Sequence, residues 1–292
     1  MSATEAADRA SGGVTLELLR TKHAQGKPIV MVTAYDYAAA QLADAAEVDL
    51  VLVGDTAAET VLGYDSTAQV SLDEMLALTA AVRRGLHTPL LIGDLPFGTY
   101  ESSNEQAVLT AQRFVKQAGA DVIKLERAGT SASRAAAIVQ AGIPVMGHLG
   151  VTPQTEVTLG GRRAQGRTAD GARRLLDDAF ALQSAGCFAI VLEAVPARVA
   201  SLITARLEIP TIGIGAGAGT SGQVLVWHDL LGLYEWRPRF ARAFVELRPT
   251  IIDALTRYAA DVRSRSFPDQ EHCYAIDETE LERFRACLDS DG

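Results

Sequence analysis

Several short apolar runs in this chain end in polar residues that can do chemistry. One closes as Val53-Gly54-Asp55-Thr56, a second as Gly93-Asp94-Leu95-Pro96, and a third as Gly147-His148. A fourth reads Val122-Ile123-Lys124-Leu125-Glu126, and a fifth ends Val191-Leu192-Glu193. Carboxylates gathered at neighbouring strand ends repel one another unless something neutralises them, and a divalent cation does so. Oxygen donors without Cys or His partners select a hard ion, Mg²⁺ or alternatively Mn²⁺. For any one of these acids the plainer role is capping the next helix or pairing with a surface arginine. The case for a site rests on their joint placement.

Lys124 and Glu126 are two positions apart, so in a strand both point to the same face. The only other lysines are Lys22, Lys27 and Lys116, which makes a lysine inside an apolar strand unusual for this chain. It could form a salt bridge to a neighbouring acid, hold a substrate carboxylate, or act as a Schiff-base lysine. Nearby carboxylates raise its pKa and oppose the last role. His148 is either a structural histidine or a binding or acid–base group at the same mouth. Gly217-Ala-Gly219-Thr-Ser-Gly222 fits G-x-G-x-x-G, but a dinucleotide site needs a helix next. The residues that follow, Gln223–Val226, read as a strand, so that reading is rejected.

The elements that must position these groups alternate. Apolar β-branched runs fall at Ile29–Thr33, Leu50–Val53, Leu90–Ile92, Val122–Leu125, Val145–Gly147, Ala189–Leu192, Thr211–Ile214 and Gln223–Val226. Ala-rich segments of helical period lie between most of them: Asp36–Ala46, Ser71–Gly85, Asn104–Ala118, Ser131–Ala141, Ala169–Ala185 and Pro196–Leu207. Ser71 and Glu74 have capping-box spacing. Near-continuous apolar strands joined by helices predict a parallel sheet covered on both faces. Eight such units predict an α/β fold, a single-domain (β/α)8 TIM barrel, with a doubly wound open sheet as competitor. In a barrel, active groups stand at the C-terminal strand ends, where the polar residues are. Residues 1–14 read as a mobile N-terminal extension, 15–268 as the barrel and 269–292 as an acidic C-terminal tail. Thr15–Ala24 is expected to close the barrel floor, and Ala241–Arg265 to be a last long helix, suited to an oligomer contact.

Composition bounds the partners. The net charge is −9 with 48% hydrophobic residues. That balance argues for no nucleic acid and no membrane partner, because both present anions. No apolar run approaches the roughly 20 residues of a bilayer span. Cys187, Cys273 and Cys287 form no C-x-x-C pair and suggest a reducing, cytoplasmic setting.

The chain also carries an ordered set of motifs. They are Thr33-Ala-Tyr-Asp36-Tyr37, Val53-Gly-Asp55, Asp65-Ser-Thr67, Asp94-Leu-Pro-Phe97, Lys124-Leu-Glu126 and Gly147-His-Leu-Gly150 with Thr152-Pro-Gln154. Gln165-Gly-Arg167, Leu192-Glu193, Gly213-Ile-Gly-Ala-Gly217 and Glu271-His272 complete the set. From about Thr15 to about His272 the chain resembles the ketopantoate hydroxymethyltransferase family. The resemblance implies a (β/α)8 barrel, Mg²⁺, and transfer of a hydroxymethyl group from 5,10-methylenetetrahydrofolate to 3-methyl-2-oxobutanoate, giving 2-dehydropantoate through a Mg-stabilised enolate. It implies Asp55, Asp94 and Glu126 as metal-associated acids, and Asp55, Thr56, Asp94 and Lys124 as 2-oxo-acid contacts. Glu193 matches the catalytic proton acceptor, His148 lies in the segment beside the substrate, and the assembly would be a homo-oligomer, a decamer. Thr56 stands where serine is usual, Arg127-Ala128 where two glycines commonly follow the glutamate, and Glu59 adds a charge. These departures leave open a metal-dependent aldolase-type paralogue acting on another 2-oxo acid. A catalytically silent barrel scaffold is the third alternative, against which the intact acids argue.

Overall fold

Burial along the strands alternates between two apolar clusters, and this alternation organises the architecture. The structure, a computed structural model, describes residues 13–127 and 129–290. The expected N-terminal extension therefore lies, save Gly13 and Val14, outside the described residues, as does Ala128. Eight parallel strands close on themselves in chain order: β1 (Ile29–Thr33), β2 (Leu50–Val53), β3 (Leu90–Asp94), β4 (Val122–Glu126), β5 (Val145–Gly150), β6 (Ala189–Glu193), β7 (Thr211–Ile214) and β8 (Gly222–Leu225). β8 pairs with β1, so the barrel has no open edge and the open-sheet alternative is excluded.

Inside the barrel, Met31, Leu50, Leu52, Ile92, Val122, Met146, Val191, Ile212 and Val224 form one cluster. The intervening residues, among them Val51, Leu91, Ile123, Leu125 and Ile190, face the helices in the other. Two-residue periodicity thus sends Lys124 and Glu126 inward while Leu125 packs outward. The first helix, α1 (Leu16–Ala24), is capped by the Thr15 hydroxyl, which accepts from the Leu18 N–H at 3.1 Å. Leu18 and Leu19 from this helix join the interior cluster. Val14 is buried there too, with its N–H on the Thr88 carbonyl at 2.7 Å, so it belongs to the barrel and not to the extension.

The covering helices are α2 (Tyr37–Ala45), α3 (Leu72–Gly85), α4 (Asn104–Arg113), α5 (Thr130–Gln140), α6 (Ala169–Ser184) and α7 (Ala197–Thr204). The capping box of Ser71 and Glu74 opens α3 as its spacing predicts. α4 runs on into a π-turn, Phe114–Ala118, which seats Phe114 against Gly93; a Cβ on Gly93 would lie 2.4 Å from the Phe114 ring. No helix separates β7 from β8: the glycine-rich loop leads straight into a strand, in keeping with rejection of a dinucleotide motif.

A second compact unit comprises Leu231–Glu235 and residues 244–290. It contains the expected last helix as α8 (Leu247–Ser264) and a further helix, α9 (Glu278–Ser290), neither of which has a buried residue. The acidic tail is largely helical over its described residues, and α8 belongs to this second unit, although it was expected within the barrel. Among the described residues no helix is long and apolar enough to cross a membrane.

Candidate active site

Strand register decides which polar side chains meet. Asp94 on β3 is level with Lys124 on β4, and Glu126 on β4 is level with His148 on β5. The consequences are direct: Lys124 Nζ lies 2.9 Å from Asp94 Oδ2, and His148 Nδ1 lies 3.2 Å from Glu126 Oε1. Lys124 Nζ is also 3.4 Å from His148 Nδ1. On the far side of the ring, His148 Nε2 is 3.3 Å from Glu193 Oε2 on β6. The Asp55 N–H, just beyond β2, donates to Asp94 Oδ2 at 3.0 Å. Asp55, Asp94, Lys124, Glu126 and His148 are all buried, whereas the Glu193 side chain is 20% exposed.

The electrostatics follow from this crowding. Burial pushes the Asp94 carboxyl up to about 7, with Asp55 and Glu126 adding to the effect and Lys124 opposing it. Burial likewise raises Glu126, against its contacts with His148. For Lys124 burial favours the neutral amine, but Asp94, Glu126 and Asp55 outweigh it and hold the group as an ammonium. His148 is lowered by burial and by Lys124, yet the flanking Glu126 and Glu193 carry it up to about 9. Burial, with help from Asp55 and Asp94, keeps the nearby Tyr35 phenol protonated.

Several acceptors in this ring lack a hydrogen bond. Asp55 Oδ2 and Asp94 Oδ1 are buried and unsatisfied, and Glu126 Oε1 has only its ion pair with His148. Buried acceptors without partners are costly and indicate a ligand or ion. Among the described residues no three acidic, histidine or cysteine side chains form a ready cage. Two carboxylates with free oxygens, completed by substrate and water, are nonetheless the donor set that Mg²⁺ favours. The residues present fit a hard cation held chiefly by Asp55 and Asp94.

Two further residues set the site, and only their motif hinted at them. The Gln154 N–H donates to Glu126 Oε2 at 3.1 Å, and its side-chain amide donates to the Leu95 carbonyl at 2.9 Å. The Tyr100 hydroxyl donates to Gln154 Oε1 at 2.7 Å. Gln154 thus ties the loop after β5 to the ends of β3 and β4 and fixes Glu126. Gly150, at φ +100°, is needed because a Cβ there would lie 2.0 Å from the Glu193 carbonyl oxygen.

The loop after β2 carries the remaining expected residue. Thr56 is half-buried, and its side chain makes no capping bond to the short helix Ala57–Thr60 that follows. Glu59 in that helix pairs with Arg162, which also binds Glu156 at 2.8 Å, so one guanidinium is shared by two carboxylates.

This arrangement can now be set beside known proteins. The sequence profile of the family "Ketopantoate hydroxymethyltransferase" matches residues 13–270. The chain is 55% identical over 268 residues to the 3-methyl-2-oxobutanoate hydroxymethyltransferase of Chloroflexus aggregans, covering 91% of this chain and 95% of that one. It is 50% identical over 287 residues to the mitochondrial 3-methyl-2-oxobutanoate hydroxymethyltransferase 1 of Oryza sativa, covering 96% of this chain and 79% of that one. Among solved structures, a phosphonopyruvate hydrolase in complex with oxalate and Mg²⁺ superposes with a TM-score of 0.58 at 14% identity, covering 94% of this chain and 97% of that one. At such identity it shares the barrel fold alone. With the family match spanning almost the whole barrel, the chain belongs to the ketopantoate hydroxymethyltransferase family.

Proposed function

We propose that this chain is an enzyme that transfers a hydroxymethyl group from 5,10-methylenetetrahydrofolate to C3 of 3-methyl-2-oxobutanoate, giving 2-dehydropantoate for pantothenate biosynthesis. The observation that carries this reading is the division of one barrel mouth into two halves. On one side, Asp55 and Asp94 offer unsatisfied buried oxygens beside Lys124; on the other, Glu193 is a more exposed carboxylate. The names of the relatives at 50–55% identity support the same chemistry.

A bound Mg²⁺, or Mn²⁺, would polarise the ketone of the 2-oxo acid and favour loss of its C3 proton. Asp55 and Asp94, together with Glu126, already fixed by Gln154, would hold the cation. The Lys124 ammonium and the Thr56 hydroxyl bind the substrate carboxylate. Glu193, poised against His148, takes the C3 proton on a carboxylate oxygen. The electron pair left at C3 forms the bond to the one-carbon unit, both C–N bonds from that carbon to the folate break, water supplies the hydroxyl oxygen, and the C3 proton and one water proton go to the two folate nitrogens. His148, shared between Glu126 and Glu193, steadies both carboxylates.

The setting is cytoplasmic, in keeping with three free thiols. The working form is a homo-oligomer: α8 leaves Ile251, Ile252, Leu255, Tyr258 and Val262 exposed, a set that subunit contact would cover. The test of the reaction is deuterium uptake at C3 of 3-methyl-2-oxobutanoate without folate. Cation-dependent uptake that falls in Glu193→Gln supports the reading; uptake indifferent to both cation and Glu193 overturns it.

A further inference from the structure

On the outer side of the same rim lies a cavity of about 360 Å³ lined by Arg127, Gly129, Gly150, Gln165, Arg174 and Asp178, among others. It adjoins the reacting groups through the backbone. Arg127 directly follows Glu126, and its N–H donates to the His148 carbonyl at 2.8 Å; the Gln165 N–H donates to the carbonyl of Ala194, next to Glu193, at 3.0 Å. Among the described residues neither guanidinium is hydrogen-bonded or ion-paired, and Asp178 is the acid on which both exert their field. In a chain of net charge −9, this is a local concentration of available positive charge.

Arg127 has an unusual backbone. Its φ is +71°, a conformation that glycine adopts freely and other residues adopt at a cost. The strain aims the side chain away from the barrel interior and towards the cavity.

We propose that this cavity holds the glutamate end of the folate, with Arg127 and Arg174 as the groups that bind its carboxylates. The proposal rests on the folate reading above. Of the two substrates only the folate is long enough to place one end at C3 beside Glu193 while the other lies outside the barrel. That outer end carries two carboxylates, and guanidinium is the side chain best matched to them. Asp178 opposes the tail and sets how tightly it is held.

Steady-state kinetics of the full chain with both substrates test this. Arg127→Gly relieves the backbone, so an effect there does not come from misfolding; Arg174→Gln keeps the helix. Each is expected to raise the KM for methylenetetrahydrofolate about tenfold, the worth of a charge-assisted hydrogen bond. The KM for the 2-oxo acid stays where it was. In the wild-type protein p-aminobenzoylglutamate inhibits better than p-aminobenzoate, and the double variant loses that distinction. Asp178→Asn makes p-aminobenzoylglutamate a tighter inhibitor. An unchanged folate KM and an intact distinction in the double variant overturn the proposal while leaving the folate reading standing. A wild-type protein that turns over 2-oxo acid with formaldehyde but not with the folate defeats both.

Discussion

Cation binding at Asp55 and Asp94 should expel a proton, and the structure sets how much. Burial carries the Asp94 carboxyl to about 7, and its ionised form is the one that would ligate a cation. Asp94 is then about one-tenth ionised at pH 6, half at pH 7 and nine-tenths at pH 8. The apparent Kd for Mg²⁺ should rise about tenfold from pH 8 to pH 6, about 1.4 kcal/mol. Roughly half a proton should leave per ion bound at pH 7. Titration calorimetry in buffers of matched pH and different ionisation enthalpy reads both quantities. The stability of the cation-free protein runs the opposite way. A carboxyl raised on folding contributes stability below its unfolded value, in the ordinary carboxylate range, and that contribution is lost as pH rises through about 7. Cation should therefore raise the Tm more at pH 8 than at pH 6. An affinity flat from pH 6 to 8, with no buffer-dependent heat, would refute the reasoning.

Other residues give separate outcomes. Glu193→Gln should lower turnover by about 10²–10⁴ with cation affinity nearly unchanged, because Glu193 stands apart from the Asp55–Asp94 pair; a loss of affinity with normal turnover at saturating cation would reverse the assignment. Lys124, held as an ammonium by three acids, should give no adduct when borohydride is added with substrate present, and mass spectrometry would detect an imine if one formed. Gln154→Ala should weaken catalysis by untying its loop from the Leu95 carbonyl and Tyr100 and so loosening the backbone N–H that fixes Glu126, while Gln154→Asn, which keeps an amide donor and acceptor, should retain more activity. Similar losses in the two variants would count against a positioning role.

Much of the barrel was legible because its physics is periodic. Apolar runs marked all eight strands, and the spacing of Lys124 and Glu126 predicted their shared inward face. Strand ends were read short. β5 runs to Gly150, since His148 and two glycines dilute the apolar signal while closure still supplies hydrogen-bonding neighbours on both sides. Which charges would pair was not legible, because register across a parallel sheet is a long-range property; nothing local puts Asp94 opposite Lys124. Gln154 is the clearest omission. Its contacts span 28 residues to Glu126 and 59 to Leu95, beyond any window of sequence pattern. The φ of +71° at Arg127, just past the end of β4, and the cavity this residue lines are likewise facts of the fold. Period alone also could not separate α8 from the barrel helices. Its pattern is amphipathic like theirs, yet none of its residues is buried.

The central claim is that one mouth joins a cation-activated 2-oxo acid to a folate-borne carbon. The most direct measurement is mass analysis of products formed by the protein with Mg²⁺, ¹³C-labelled methylenetetrahydrofolate and a panel of 2-oxo acids in competition. The account predicts that 3-methyl-2-oxobutanoate is consumed first and gains one labelled hydroxymethyl group at C3, with none formed after chelation of the cation. A label carried mainly by another 2-oxo acid, or labelled product made equally well in chelator, would contradict it.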